Sequence, residues 1–213
     1  SSPSIIIMKK GIYTFISSVL AGMWIGIGGT IYLSIDNPII GAMLFTVGLF
    51  TICTFNFQLY TGKICDILHN DIYYAINVIC TWFGNLAGTW LFANLIKMTR
   101  YAIHLQEKAA IICDTKMNDT IISIFLLSIF CNMLIFLAVK GFNQIPNPIG
   151  KYIALFLGVS VFIICGFEHC VANMYYFSIA GMWSRRLLLY LLVMTLGNSV
   201  GGILMTECCR LKK

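Results

Sequence analysis

Two polar interruptions break apolar stretches at matching places in the two halves of this chain. The first runs Asn56-Phe57-Gln58-Leu59-Tyr60-Thr61-Gly62-Lys63, the second Gly166-Phe167-Glu168-His169-Cys170-Val171-Ala172-Asn173. The blocks Gly84-Asn85-Leu86-Ala87-Gly88 and Gly197-Asn198-Ser199-Val200-Gly201, 113 residues apart, fix the correspondence independently. A repeat at about half the chain length reads as a duplication. Paired breaks in two membrane halves are the best sequence pointer to a substrate path near the bilayer mid-plane.

The solvent follows from composition. The chain is 59% hydrophobic and 10% charged, with a mean hydropathy of +0.88, against about 25% charged residues in soluble domains. A polytopic membrane protein results. The formal charge of +6 comes from Lys and Arg at the ends of apolar runs, an anchoring pattern that does not suit a nucleic-acid partner. Nine cysteines show no CxxC pair and no metal spacing, and they read as small buried hydrophobes. Only Cys113 falls in a stretch that reads as a polar loop.

About 20 apolar residues cross a bilayer core. Six spans follow, near 12–34, 38–55, 73–96, 117–139, 149–165 and 187–208. The second carries the interruption and a short continuation to about His69, and the fifth resumes to about Met182. A polar connection with Arg100, Glu107, Lys108 and Asp114 separates spans three and four, so that Lys116 opens span four. Three spans per half is an odd number, which makes the halves cross in opposite directions: an inverted 3+3 repeat, about 10–98 and 116–210, within one channel domain spanning 1–213. Eight Lys and Arg residues fall on the inner side and six on the outer when both termini are cytoplasmic, a slight positive-inside bias. Small-xxx-small pairs at Gly22–Gly26, Gly84–Gly88 and Gly197–Gly201 predict close helix packing.

Chemistry concentrates in the interruptions. An ionisable pair such as Glu168-His169 inside an apolar span is expensive and by default functional. His can donate a hydrogen bond to an anion or change charge near neutral pH, so His169 reads as pore-lining and Glu168, standing alone, as support for the break. Backbone groups freed at each break are tolerated only where they line a cavity or pack within protein. The resumed half-helices add positive dipole ends, where Thr61 offers a hydroxyl that either faces the path or caps the helix. Asn132, near mid-span, needs a partner. No Walker loop, HExxH, GxSxG or loop carboxylate cluster argues for an enzyme, a metal or a cofactor.

The Gly166–Asn173 block followed by Met174 closely resembles the span-five signature of the formate/nitrite transporter family. Leu59-Tyr60-Thr61-Gly62 resembles the family's span-two loop, with Tyr60 where Phe is usual. Gly84–Gly88, Leu196-Gly197-Asn198 and Asn132 with the apolar run after it are similar to its span-three, span-six and span-four motifs. The likeness runs from about Lys10 to Arg210. It implies an aquaporin-like helical fold, a homopentamer with one pore per protomer in a bacterial inner membrane, and transport of small monovalent anions such as formate, nitrite or hydrosulfide, with protons as candidate partners. It implies His169 at the pore centre with Thr61 opposite and Asn132 nearby, Lys116 as a vestibule lysine, and constrictions built from Phe45, Leu49, Leu59, Tyr60 and Phe162. Glu168 and Asn173 would support the helix break. An amphipathic N-terminal helix common in the family is missing or short before Met8, and Lys63 replaces a smaller uncharged residue. The rival, an aquaporin-like channel for neutral solutes, would carry Asn-Pro-Ala pairs, and none occurs.

Overall fold

Asn37-Pro38 and Asn147-Pro148 begin two helices in the same way. Proline is pre-set for the first helical position, and each asparagine side chain caps two backbone N–H groups, those of Ile39 and Ile40 in one case and Ile149 and Gly150 in the other. The computed structural model describes residues 3–211. In it the chain is helical throughout: α1 (Pro3–Ser34), α2 (Pro38–Phe55), α3 (Tyr60–Lys63), a 3₁₀ turn (Ile64–His69), α4 (Ile72–Lys97), α5 (Ala102–Met117), α6 (Ile121–Gln144), α7 (Pro148–Ile164), α8 (Cys170–Ala180) and α9 (Arg185–Arg210). Four stretches, Lys9–Ser34, Pro38–Phe55, Ile121–Gln144 and Arg185–Arg210, are helices long and apolar enough to cross a membrane. Apolar side chains such as Phe83, Trp90, Leu192 and Leu196 point outward from α4 and α9, as they do where lipid or a second protein is the neighbour.

Packing repeats between the halves. Helix α1 lies against α4 and α2, α6 lies against α9 and α7, and contact between α2 and α7 joins the two sets. Glycine permits the closest approaches. A Cβ on Gly88 would run into the Val19 carbonyl of α1, and one on Gly201 into the Ile129 carbonyl of α6. The small-residue pairs therefore act as packing residues.

One expectation fails here. The stretch read as a polar connection is helix α5, and Lys116 lies in its last turn rather than opening the next apolar helix, which starts at Ile121 after the Thr120 cap. Cys113 is correspondingly buried, not in a loop. Leu105, Ala109 and Cys113, spaced by four, form the buried stripe of α5, which packs against α8 and α1. The helix is too polar to register as a bilayer crossing. Lys108 on its outer face is 2.8 Å from Asp36 in the α1–α2 connection and holds that carboxyl below its usual pKa by hydrogen bonding and charge.

Candidate functional site

Helix α2 stops at Phe55 because Asn56 turns left-handed, φ 54°, and α7 stops in the same way at Gly166, φ 67°. Glycine adopts that conformation freely and asparagine tolerates it better than most residues. Each break strands backbone groups that lipid cannot satisfy, and one asparagine on a neighbouring helix meets them in each half. Asn85 on α4 accepts from Tyr60 N–H at 2.9 Å and donates to the carbonyls of Gln58 and Ser18 at 2.9 and 2.8 Å. Asn198 on α9 accepts from Cys170 N–H at 2.8 Å and donates to the carbonyls of Glu168 and Ser128 at 2.8 and 2.7 Å. Ser18, Gln58 and Tyr60 each precede Ser128, Glu168 and Cys170 by 110 positions. These two asparagines were visible in the sequence only as members of glycine-flanked blocks. Their role as clamps for the breaks was missed, although a buried Asn recurring beside two helix interruptions is the signal for it.

The halves differ where the chemistry lies. Leu59 precedes α3 without a side-chain cap. His169 caps α8, its Nδ1 accepting the Ala172 N–H at 3.1 Å. A nitrogen that accepts carries no proton, so the neutral ring bears its hydrogen on Nε2. Nε2 lies 3.0 Å from Thr61 Oγ1, which fixes Nε2–H as donor and the threonine oxygen as acceptor. Among the described residues this is the one hydrogen bond that joins the two interrupted segments. Phe162 stacks on the His169 ring, centroids 5.5 Å apart, and Phe45 meets Phe162 edge-on at 6.1 Å. Leu49, Leu59 and Tyr60 are buried with them, and the Tyr60 hydroxyl lies 2.8 Å from Ser199 Oγ.

A cavity opens on each side of this cluster. One, of about 240 Å³, is lined by Phe162, Glu168, His169, Lys116, Asp119 and Asn173 among others. The second, about 210 Å³, is lined by Leu59, Gln58, Lys63, Asp66, Tyr74 and Lys140 among others. Phe45, Leu49, Tyr60 and Thr61 face neither cavity and lie in the apolar partition between them.

Lys116 and Glu168 are partners, at 2.5 Å, so Glu168 does not stand alone as the sequence suggested. The carboxylate also accepts from Asn173 Nδ2 at 2.8 Å, and the Glu168 backbone N–H bonds the Leu127 carbonyl of α6 at 3.2 Å. The ion pair therefore ties α5 to the break before α8. It also neutralises the lysine. With Asp119, the first cavity holds one carboxylate more than it holds ammonium groups. The second holds Lys63 and Lys140 against Asp66, an excess of one cation. Asn132 is fully buried, away from both cavities. Its amide donates to the carbonyls of Thr61 and Asn198, at 3.1 and 2.6 Å, so it holds α3 against α9.

The sequence pattern of the formate/nitrite transporters matches residues 8–211. This chain belongs to the formate/nitrite transporter family. Formate channel FocB of Escherichia coli (strain K12) is 25% identical across 95% of this chain and 87% of its own length. A formate-nitrite transporter of Plasmodium ovale is 27% identical across 90% of this chain and 73% of its own. Among solved structures, a pentameric formate channel with formate bound superposes with a TM-score of 0.81 at 23% identity, over 96% of this chain and 97% of that one. The formate/nitrite transporter fold is thus shared over 96% of the chain, and the family consists of integral membrane transporters, not enzymes.

Proposed function

We propose that this protein is a channel for small monovalent anions of weak acids, with formate the first candidate and nitrite and hydrosulfide next. The observation that carries the reading is the His169–Thr61 contact, set in an apolar partition with a cavity on either side. That its relatives include a formate channel and a formate-nitrite transporter favours an anion over a neutral solute. In this reading the chain is one channel domain with six crossings in an inverted 3+3 repeat, crossings two and five being interrupted. The protein assembles as a homopentamer with a pore in each protomer, in a bacterial inner membrane with both termini cytoplasmic.

Desolvating a charge in the partition costs several kcal/mol or more, and the two donors offset part of that. Thr61 Oγ1 accepts from His169 and has no other hydrogen-bond partner among the described residues, so its own proton is free. An anion arriving between the two replaces their mutual bond and accepts both Nε2–H and Oγ1–H. Proton transfer from His169 would require Nδ1 to take up a proton and release the Ala172 cap. His169 therefore acts as a neutral hydrogen-bond donor, not as a proton source. Asn132, Glu168, Asn173, Asn85 and Asn198 position this pair. Phe45, Leu49, Leu59, Tyr60 and Phe162 form the constrictions that exclude hydrated ions.

Formate uptake by proteoliposomes tests this with His169→Asn, which keeps a donor, and His169→Phe, which has none. Uptake is expected to persist in the first with the wild-type pH profile and to fall steeply in the second. A step between pH 5 and 8 that disappears in His169→Asn would show a titrating imidazole and reject the neutral-donor mechanism.

A further inference from the structure

The function above leaves Lys63 unused. Its side chain reaches the second cavity, where the ammonium is held by Gln58 Oε1 and lies 5.2 Å from the centre of the Tyr74 ring. Its backbone is fixed as well, since the Lys63 carbonyl accepts from the Tyr74 hydroxyl at 2.7 Å. Among the described residues no carboxylate lies within ion-pair distance of Lys63. Asp66, the acid of that cavity, pairs with Lys140 at 2.5 Å. An ammonium has three donors, and one of them is spent on Gln58.

This contrasts with the opposite cavity, whose lysine is consumed by Glu168 and whose charged groups sum to an excess of one carboxylate. The group best placed to receive an incoming anion is therefore not Lys116. From these observations we infer that Lys63, presented by Gln58 and Tyr74, forms an anion-binding subsite for a small carboxylate or similar weak-acid anion, one helical turn from the Leu59–Tyr60 constriction. The proposal rests on the channel reading and deepens it. The subsite holds the anion in direct contact before or after the partition, and it makes the two faces of the channel unequal in affinity.

Formate influx into proteoliposomes tests it, measured against external formate for wild type, Lys63→Gln and Lys63→Arg, with assembly checked by size-exclusion elution. Reconstituted channels face both ways, so the curve sums two orientations. Loss of one charge-assisted hydrogen bond shifts half-saturation about tenfold. In Lys63→Gln the component from channels with the second cavity outward is expected to move by that amount, while the component from the other orientation stays. Lys63→Arg is expected to keep the wild-type curve. Identical curves for wild type and Lys63→Gln overturn the subsite but not the channel, whereas no formate influx in wild type overturns the channel reading itself. Should the glutamine variant fail to assemble, wild-type crystals soaked in bromide decide the matter: an anomalous peak in contact with Lys63 Nζ supports the subsite, and an empty cavity overturns it.

Discussion

Replacing Asn198 with alanine removes three hydrogen bonds at a fully buried position. The Ser128 carbonyl lies mid-helix in α6 and keeps its helical partner, so its loss is small. Cys170 N–H and the Glu168 carbonyl sit at the break, and neither has another partner among the described residues. Each buried group left unpaired costs about 1–3 kcal/mol, so the variant should lose about 2–6 kcal/mol. That is a large share of the 5–15 kcal/mol that typically separates folded from unfolded protein. A chain of this size loses roughly 2–4 °C of unfolding midpoint per kcal/mol. Thermal unfolding in detergent, followed by intrinsic fluorescence, should therefore show Asn198→Ala melting at least about 4 °C below wild type. Asn85→Ala should fall by a comparable amount, because it removes the matching bonds in the other half. Asn94→Ala is the control, since its amide makes one exposed bond to the Trp90 carbonyl of its own helix; such surface changes stay within about 0.5 kcal/mol. If all three variants melt together, the asparagines do not hold the breaks and the positioning argument fails.

Other consequences follow from the same geometry. Lys116→Met should destabilise by about 3–5 kcal/mol by leaving Glu168 buried and unpaired, and adding Glu168→Gln should recover much of that; additive losses in the double-mutant cycle would mean that the pair is not coupled. Thr61→Val deprives an anion of one donor and leaves the buried His169 Nε2–H without its partner, so formate flux should fall at least tenfold and the melting midpoint should drop by several degrees, as for other buried groups left unpaired; unchanged flux would remove Thr61 from the path. Gly88→Ala and Gly201→Ala each drive a Cβ into a carbonyl of the facing helix and should reduce the yield of assembled protein on size-exclusion elution, whereas Gly11→Ala, with open space at its Cβ, should not.

Much of the helical layout is legible in the chain, since an apolar run bounded by Asn-Pro leaves few alternatives. The boundaries read for the second apolar stretch, 38–55, coincide with α2. The places of the two breaks were equally visible, as Asn56 and Gly166 begin the interruptions of the apolar runs, but the left-handed conformation that both adopt was not. Helix α5 was not visible, because a search for bilayer crossings discards a segment containing Glu107, Lys108, Asp114 and Lys116. Its signal is the four-residue spacing of Leu105, Ala109 and Cys113. The candidate site was legible as a set of residues but not as a set of bonds. Lys116 pairs with Glu168 across 52 positions, and no spacing rule announces a contact between helices so far apart in sequence. The same holds for Asn132, whose partners, Thr61 and Asn198, lie on two other elements.

As proposed above, this pore passes small anions and not neutral solutes. Stopped-flow uptake into proteoliposomes of purified protein tests it most directly, comparing formate, nitrite, hydrosulfide, chloride and glycerol at equal gradients and two pH values. At least one weak-acid anion, formate first, is expected to move fast, with chloride and glycerol near the protein-free rate. Glycerol or water permeation without anion flux would contradict it and would leave His169 as a helix cap alone.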